Sequence, residues 1–164
     1  MITRRLIALL PAALVVFLLV LHAQDDSGRA RIEAVVTSIR AGNVATVEVF
    51  GVPADALFAV NLAPASLEDA WDYKIILRFP SGLEGRTEAL TAALSSAVIR
   101  KSDRQVQTLD VRTGIAFYSK TPKDRRFATF YFTGTGHDGA VNDTAVSFSP
   151  GLALQLKKLL RPSI

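Results

Sequence analysis

The chain predicts an α+β domain with a largely antiparallel sheet and two main helices on one face, preceded by an N-terminal hydrophobic signal or anchor helix. Three observations lead there. Apolar residues alternate with period two in several short stretches and switch to helical spacing in two others. The elements run strands, helix, strands, helix, without the strict alternation that a parallel doubly wound sheet requires. One apolar run stands apart from the rest, at the N-terminus.

That run covers residues 6–21, opening on Leu6 and closing on Leu21, with Arg4 and Arg5 before it and Asp25 and Asp26 after it. Basic residues ahead and acidic residues behind hold an N-terminus in the cytoplasm and send the following chain across the membrane. Sixteen residues are long for a signal peptide and short for a spanning helix, so length leaves both open. Cleavage after Ala23 places the bulky Leu21 where a small residue is wanted, which favours an uncleaved anchor. The organisation expected is therefore a signal peptide or anchor over 1–24, a polar tether over 25–31 and an extracytoplasmic α+β domain over 32–164. The domain is membrane-anchored on the periplasmic or extracellular side, or soluble and periplasmic if the leader is cut.

Within the domain, residues 32–39 are rich in β-branched side chains, Ala41-Gly42-Asn43 signals a turn, and residues 44–52 alternate, so the pair reads as a hairpin. Residues 58–62 suit a short strand, and Ser66 suits the N-cap of a brief helix through Trp71. Residues 73–79 form the clearest strand, since Tyr73, Ile75, Leu77 and Phe79 share one face. Residues 87–98 place Leu90, Ala93, Leu94 and Ala97 at helical spacing. Strands are expected over 106–111, 114–119, 127–133 and 144–148. Ser149 then caps a terminal helix carrying Pro150 in its first turn, Leu152, Leu156 and Leu159 inward, and Lys157, Lys158 and Arg161 at the end where the helix dipole favours cations.

Charge is unevenly placed. Residues 24–99 hold six basic against ten acidic residues, whereas residues 100–126 hold eight against three. Two loops supply most of that excess: Arg100, Lys101 and Arg104 in one, and Lys120, Lys123, Arg125 and Arg126 in the other. If both lie at one end of the sheet they form a cationic rim able to meet acidic headgroups, a polyanion or an acidic protein surface. Dispersed, they are solvated loop tips.

The motifs that carry chemistry are sparse. With no cysteine, disulfides, thiolate metal sites and a cysteine nucleophile are excluded. Gly134-Thr135-Gly136-His137-Asp138-Gly139 matches the dinucleotide pattern literally, but it is followed by a strand rather than a helix and reads as a glycine-rich hairpin loop. His137, the one histidine beyond the leader, has Asp138 and Asp143 nearby in sequence. Together they are the weak catalytic candidates for a small exported hydrolase, in which imidazole and carboxylate would activate water. Metal-binding spacing is lacking, and neither a metal nor another cofactor is expected.

Glu68, Asp69 and Asp72 read as a solvated acidic helix face, with Trp71 turned to the core or a partner. The run Arg125 to Phe132 matches an RNA-stacking strand only in part, since Arg126 and Thr129 stand where glycine and an aromatic belong, and nucleic acid is not expected as a partner. The functional expectation is thus a non-catalytic, membrane-tethered accessory domain of a larger membrane-associated assembly. Trp71 and the seven basic residues are its candidate contacts. The alternatives are a soluble periplasmic ligand-binding module, its ligand unspecified, and the hydrolase.

Overall fold

The computed structural model describes residues 27–53, 55–83 and 85–162; the expected anchor over 1–24 lies outside them. Over the described residues the fold is α+β, with a seven-stranded antiparallel sheet and four helices. In chain order these are α1 (Ser27–Arg40), β1 (Val44–Gly51), α2 (Pro64–Asp69), β2 (Tyr73–Arg78), α3 (Thr87–Ser95), β3 (Ile99–Lys101), β4 (Val111–Ser119), β5 (Arg125–Thr133), β6 (Asp138–Val141), β7 (Thr144–Phe148) and α4 (Leu152–Leu159). The sheet order is β2-β1-β4-β5-β6-β7-β3.

Three helices cover one face. Ile32, Val35, Val36 and Ile39 of α1, Leu90 and Leu94 of α3, and Leu152 and Leu156 of α4 pack on Val47, Val49, Leu77, Ile115, Phe117, Phe130, Phe132 and Phe148 of the sheet. A smaller core lies on the other face, where Leu62, Leu67 and Leu109 cover Phe50, Ala116, Tyr131, Ala140 and Ala145. The sheet is thus buried on both sides, with long helices on only one.

Several sequence expectations are corrected. Residues 32–39 are helical, not a strand, and the helix begins at Ser27, inside the expected tether. Their apolar residues recur at i, i+3, i+4 and i+7, and a stripe at that spacing buried on the sheet outweighs β-branched composition. Residues 58–62 form a loop, exposed as far as Asn61 and buried at Leu62, and 106–111 begin as a 3-10 turn over Val106–Thr108. Ser66 lies inside α2, which starts at Pro64 after Ala63; α4 is preceded by Gly151 at φ 83, not capped by Ser149. The short strands β3 and β6 were not foreseen.

Register defines the two ends of the sheet. One row crosses all seven strands: Tyr73, Gly51, Thr113, Phe132, Gly139, Val146 and Lys101. Beyond it lie the long connections, and this is called the loop end. At the opposite end Val44 pairs with Ser119 and Ser119 with Arg125, beneath the β4–β5 turn; this is the hairpin end.

Candidate functional site

The hairpin end concentrates cations on a fixed scaffold. Asn43, in the turn between α1 and β1, accepts from the Lys120 amide at its carbonyl (2.8 Å) and from the Thr121 amide at Oδ1 (3.1 Å). Inside the turn, Ser119 Oγ is buried and donates to the Pro122 carbonyl at 2.6 Å, while the Asp124 amide, at φ 55, donates to Ser119 O at 2.9 Å. The tip therefore holds its shape without its charged side chains. Lys120, Lys123 and Arg125 are exposed and enter no ion pair among the described residues. Arg40, closing α1, and Arg78, closing β2, stand at the same end. Beside the tip a cleft of about 410 Å³ is lined by Arg31, Asn43, Thr121, Arg125 and Asn142, with no acidic residue.

Next to it the sheet has a notch. The β6–β7 hairpin turns level with Phe130, so the first residues of β5 run past it. Asn142, at φ 54, fills the step: its amide donates to Thr129 O and its Oδ1 accepts from the Thr129 amide, both at 2.8 Å. The cleft there, about 560 Å³, is lined by Arg31, Glu68, Arg126, Tyr131, Asn142 and Asp143.

Two tyrosine–carboxylate–cation sets occupy this face. Glu68 Oε1 accepts from the Tyr131 hydroxyl and from Arg126 Nη1 (2.8 Å). Glu48 Oε2 accepts from the Tyr118 hydroxyl (2.9 Å) and from Lys74 Nζ (3.0 Å). Burial, then the carboxylate bond, pushes Tyr118 up to about 12 and holds Tyr131 well above the usual phenol range; the bond to Glu68 raises Arg126. Both hydroxyls stay protonated donors at neutral pH and both carboxylates are spent on partners. The sets fasten α2 and β2 to the sheet and supply no base or nucleophile.

A pH dependence follows. A tyrosine with a raised folded-state pKa contributes its stability in full below its unfolded value, about 10, and loses it as pH climbs toward the folded value. Unfolding free energy from urea titrations is expected to fall between pH 10 and about 12, and Tyr118→Phe to flatten that fall. Equal slopes for the two proteins would refute the assignment.

The sequence-predicted residues separate. His137 is exposed in the β5–β6 turn at the loop end, in an open cleft with Arg100, Lys101 and Ser147. Asp138 is engaged by Ser147 Oγ (3.1 Å) and by Arg104 (3.5 Å). Asp143 lies across the length of β6, about 13 Å away at strand rise, so His137 and Asp143 do not converge. Among the described residues no group of three or more acidic or histidine side chains could hold a metal. Gly134 to Gly139 form the β5–β6 turn and the start of β6, as the hairpin reading expects.

The two basic loops stand at opposite ends: Arg100 and Lys101 on edge strand β3 and Arg104 beyond it at the loop end, Lys120, Lys123, Arg125 and Arg126 at the hairpin end. They form no common rim. Trp71 is partly exposed beneath Lys74 Nζ, 5.8 Å from its ring. Glu68 is no solvated face but the hub under Arg126 and Tyr131, and Asp72 lies outside the helix, its amide on Gly51 O. Phe127 sides with the helix-covered core, because the β4–β5 irregularity beside it shifts the strand's alternation. Tyr118, Glu48 and Arg31 were missed; only their contacts across elements mark them.

No protein-family model matches the chain, and neither the curated proteins nor the solved structures contain a significant match.

Proposed function

We propose that the chain is a membrane-tethered extracytoplasmic accessory domain that docks its hairpin end onto an acidic surface of a larger membrane-associated assembly. The tether is read from residues 6–21 and their flanking charges. One observation carries the docking surface. The start of α1 lies toward the loop end, where Gly28 packs against Val146 and Ile99, whereas Lys120, Lys123 and Arg125 stand at the other end. A chain held from its N-terminal side presents Lys120, Lys123 and Arg125 outward.

Tethering raises the local concentration of the domain at the membrane, so a modest contact suffices. Exposed cations contribute to encounter rate and partner choice more than to affinity, and salt screens them beyond about 8 Å.

The test is extraction of the full chain in mild detergent. A stoichiometric partner is expected to co-purify, to dissociate as salt is raised, and to be lost from the Lys120→Glu, Lys123→Glu, Arg125→Glu variant with its melting temperature unchanged. A chain recovered alone, or a partner indifferent to both salt and charge reversal, overturns the reading.

A further inference from the structure

We propose that the loop end of the domain inserts into the lipid leaflet it faces, through the side chains of Leu57, Phe58 and Val60, with Trp71 before β2 and Val98 before β3 at the two edges of the same end. This inference rests on the tethered reading above.

Among the described residues, five of the seven exposed large hydrophobic residues lie at the loop end. Leu57 is 99% exposed, Val60 74%, Val98 56%, Trp71 43% and Phe58 40%. All five leave the sheet at the loop end. The segment holding Leu57, Phe58 and Val60 is fastened there at both ends, by the Val52 amide on Arg112 O (3.0 Å) and the Val111 amide on Leu62 O (2.8 Å). Trp71 precedes the Asp72 amide, which donates to Gly51 O at 2.9 Å. Val98 accepts from the Ser149 amide at 2.9 Å, just past the pairing of Ile99 with Phe148. Of the other exposed large hydrophobics, Ile76 sits along β2 and Leu154 in the first turn of α4; none among the described residues is at the hairpin end.

The apolar segment is held in shape, not loose. Arg112 Nη1 donates to the Ala56 carbonyl at 2.7 Å, and the guanidinium lies 5.1 Å from the centre of the Phe58 ring. Asp110 anchors that arginine at 2.7 Å. Burial works against the Asp110 charge, but the Arg112 bond, the Leu62 amide and the guanidinium charge together hold its carboxyl below the usual carboxylate range. A prearranged apolar protrusion enters a new environment without a large ordering cost.

What it meets follows from where the chain comes in. Gly28, at the start of α1, packs on Val146, and Val146 belongs to the register row that carries Gly51 and Tyr73, from which the apolar connections depart. Only residues 22–26 separate Leu21 from Ser27, a reach of about 20 Å even fully extended. Anchored by residues 6–21, the domain therefore stands on the bilayer with its loop end down. Asp55 and Asp72 share that end with Arg100 and Lys101, so apolar burial supplies the attraction and anionic lipid is not required.

Trp71 is the single tryptophan of the chain and reports on this surface directly. The experiment reconstitutes the full chain into phosphatidylcholine vesicles, plain or brominated along the acyl chains, and follows flotation and tryptophan emission. The expected result is a chain that floats, with blue-shifted emission quenched by brominated lipid, and quenching reduced at least about twofold in Leu57→Asp, Phe58→Asp, Val60→Asp, whose altered positions are exposed and whose melting is unchanged. A chain that floats with Trp71 unquenched and open to acrylamide overturns the insertion while leaving the tether standing. Undiminished quenching in the triple variant also overturns it, and a chain that does not float overturns both readings.

Discussion

Phe130→Ala is expected to cost about 3–5 kcal/mol, the largest loss from truncating a single side chain in this protein. Phe130 is fully buried on β5, its ring 5.5 Å from that of Phe117, beneath the three helices that cover this face. The core cluster it belongs to draws on the sheet and on three helices, so refilling the space would need several elements to move together. Against a total stability of roughly 5–15 kcal/mol for a domain of this kind, the loss is a large fraction. Urea unfolding checks it, through a lower midpoint at an unchanged slope. A cost below about 1.5 kcal/mol would mean that the core described above is not closed over this residue.

Gly139→Ala should destabilise by roughly 3 kcal/mol although it adds a single methyl group. A Cβ at this position would stand 1.9 Å from the carbonyl oxygen of Tyr131 and 2.8 Å from the Phe148 ring. The first obstacle is backbone and cannot rotate away. Relief requires β6 to move off β5, and that pairing, through Phe130, Tyr131 and Phe132, joins the β2-β1-β4-β5 part of the sheet to β6-β7-β3. Amide exchange at Tyr131 and Ala140 should accelerate more than exchange in β1 and β4; a uniform change, or none, would refute the local origin. The same glycine closes the stretch that imitates a dinucleotide fingerprint. Its requirement here is close strand packing, with no phosphate involved.

Strand β2 and helix α3 were legible because their apolar periods are clean, and each reports one buried face. Helix α1 was misread from composition. Ile32, Val35, Val36 and Ile39 also satisfy a helical stripe, and only packing against the sheet chooses between a β-branched strand and a helix for such a segment. The three-residue β3 and the four-residue β6 are too short to show a period; they exist because β7 offers each of them a partner. Of the candidate site, the charge excess around Lys120 to Arg126 was visible as a run of residues, while its distance from Arg100 and Lys101 was not, since linear order says nothing about which end of a sheet a loop reaches.

The amino-acid order by itself determined the α+β class, the largely antiparallel sheet, the absence of thiol chemistry and the basic bias of the middle of the chain, because each is a property of composition or of period over neighbouring residues. Tertiary structure alone decided that Glu68 serves Tyr131 and Arg126, that His137 and Asp143 stand apart, and that Leu57, Phe58 and Val60 lie at the end of the sheet opposite Lys120, Lys123 and Arg125. Those facts depend on register between strands distant in sequence, where one added residue shifts every face and every end.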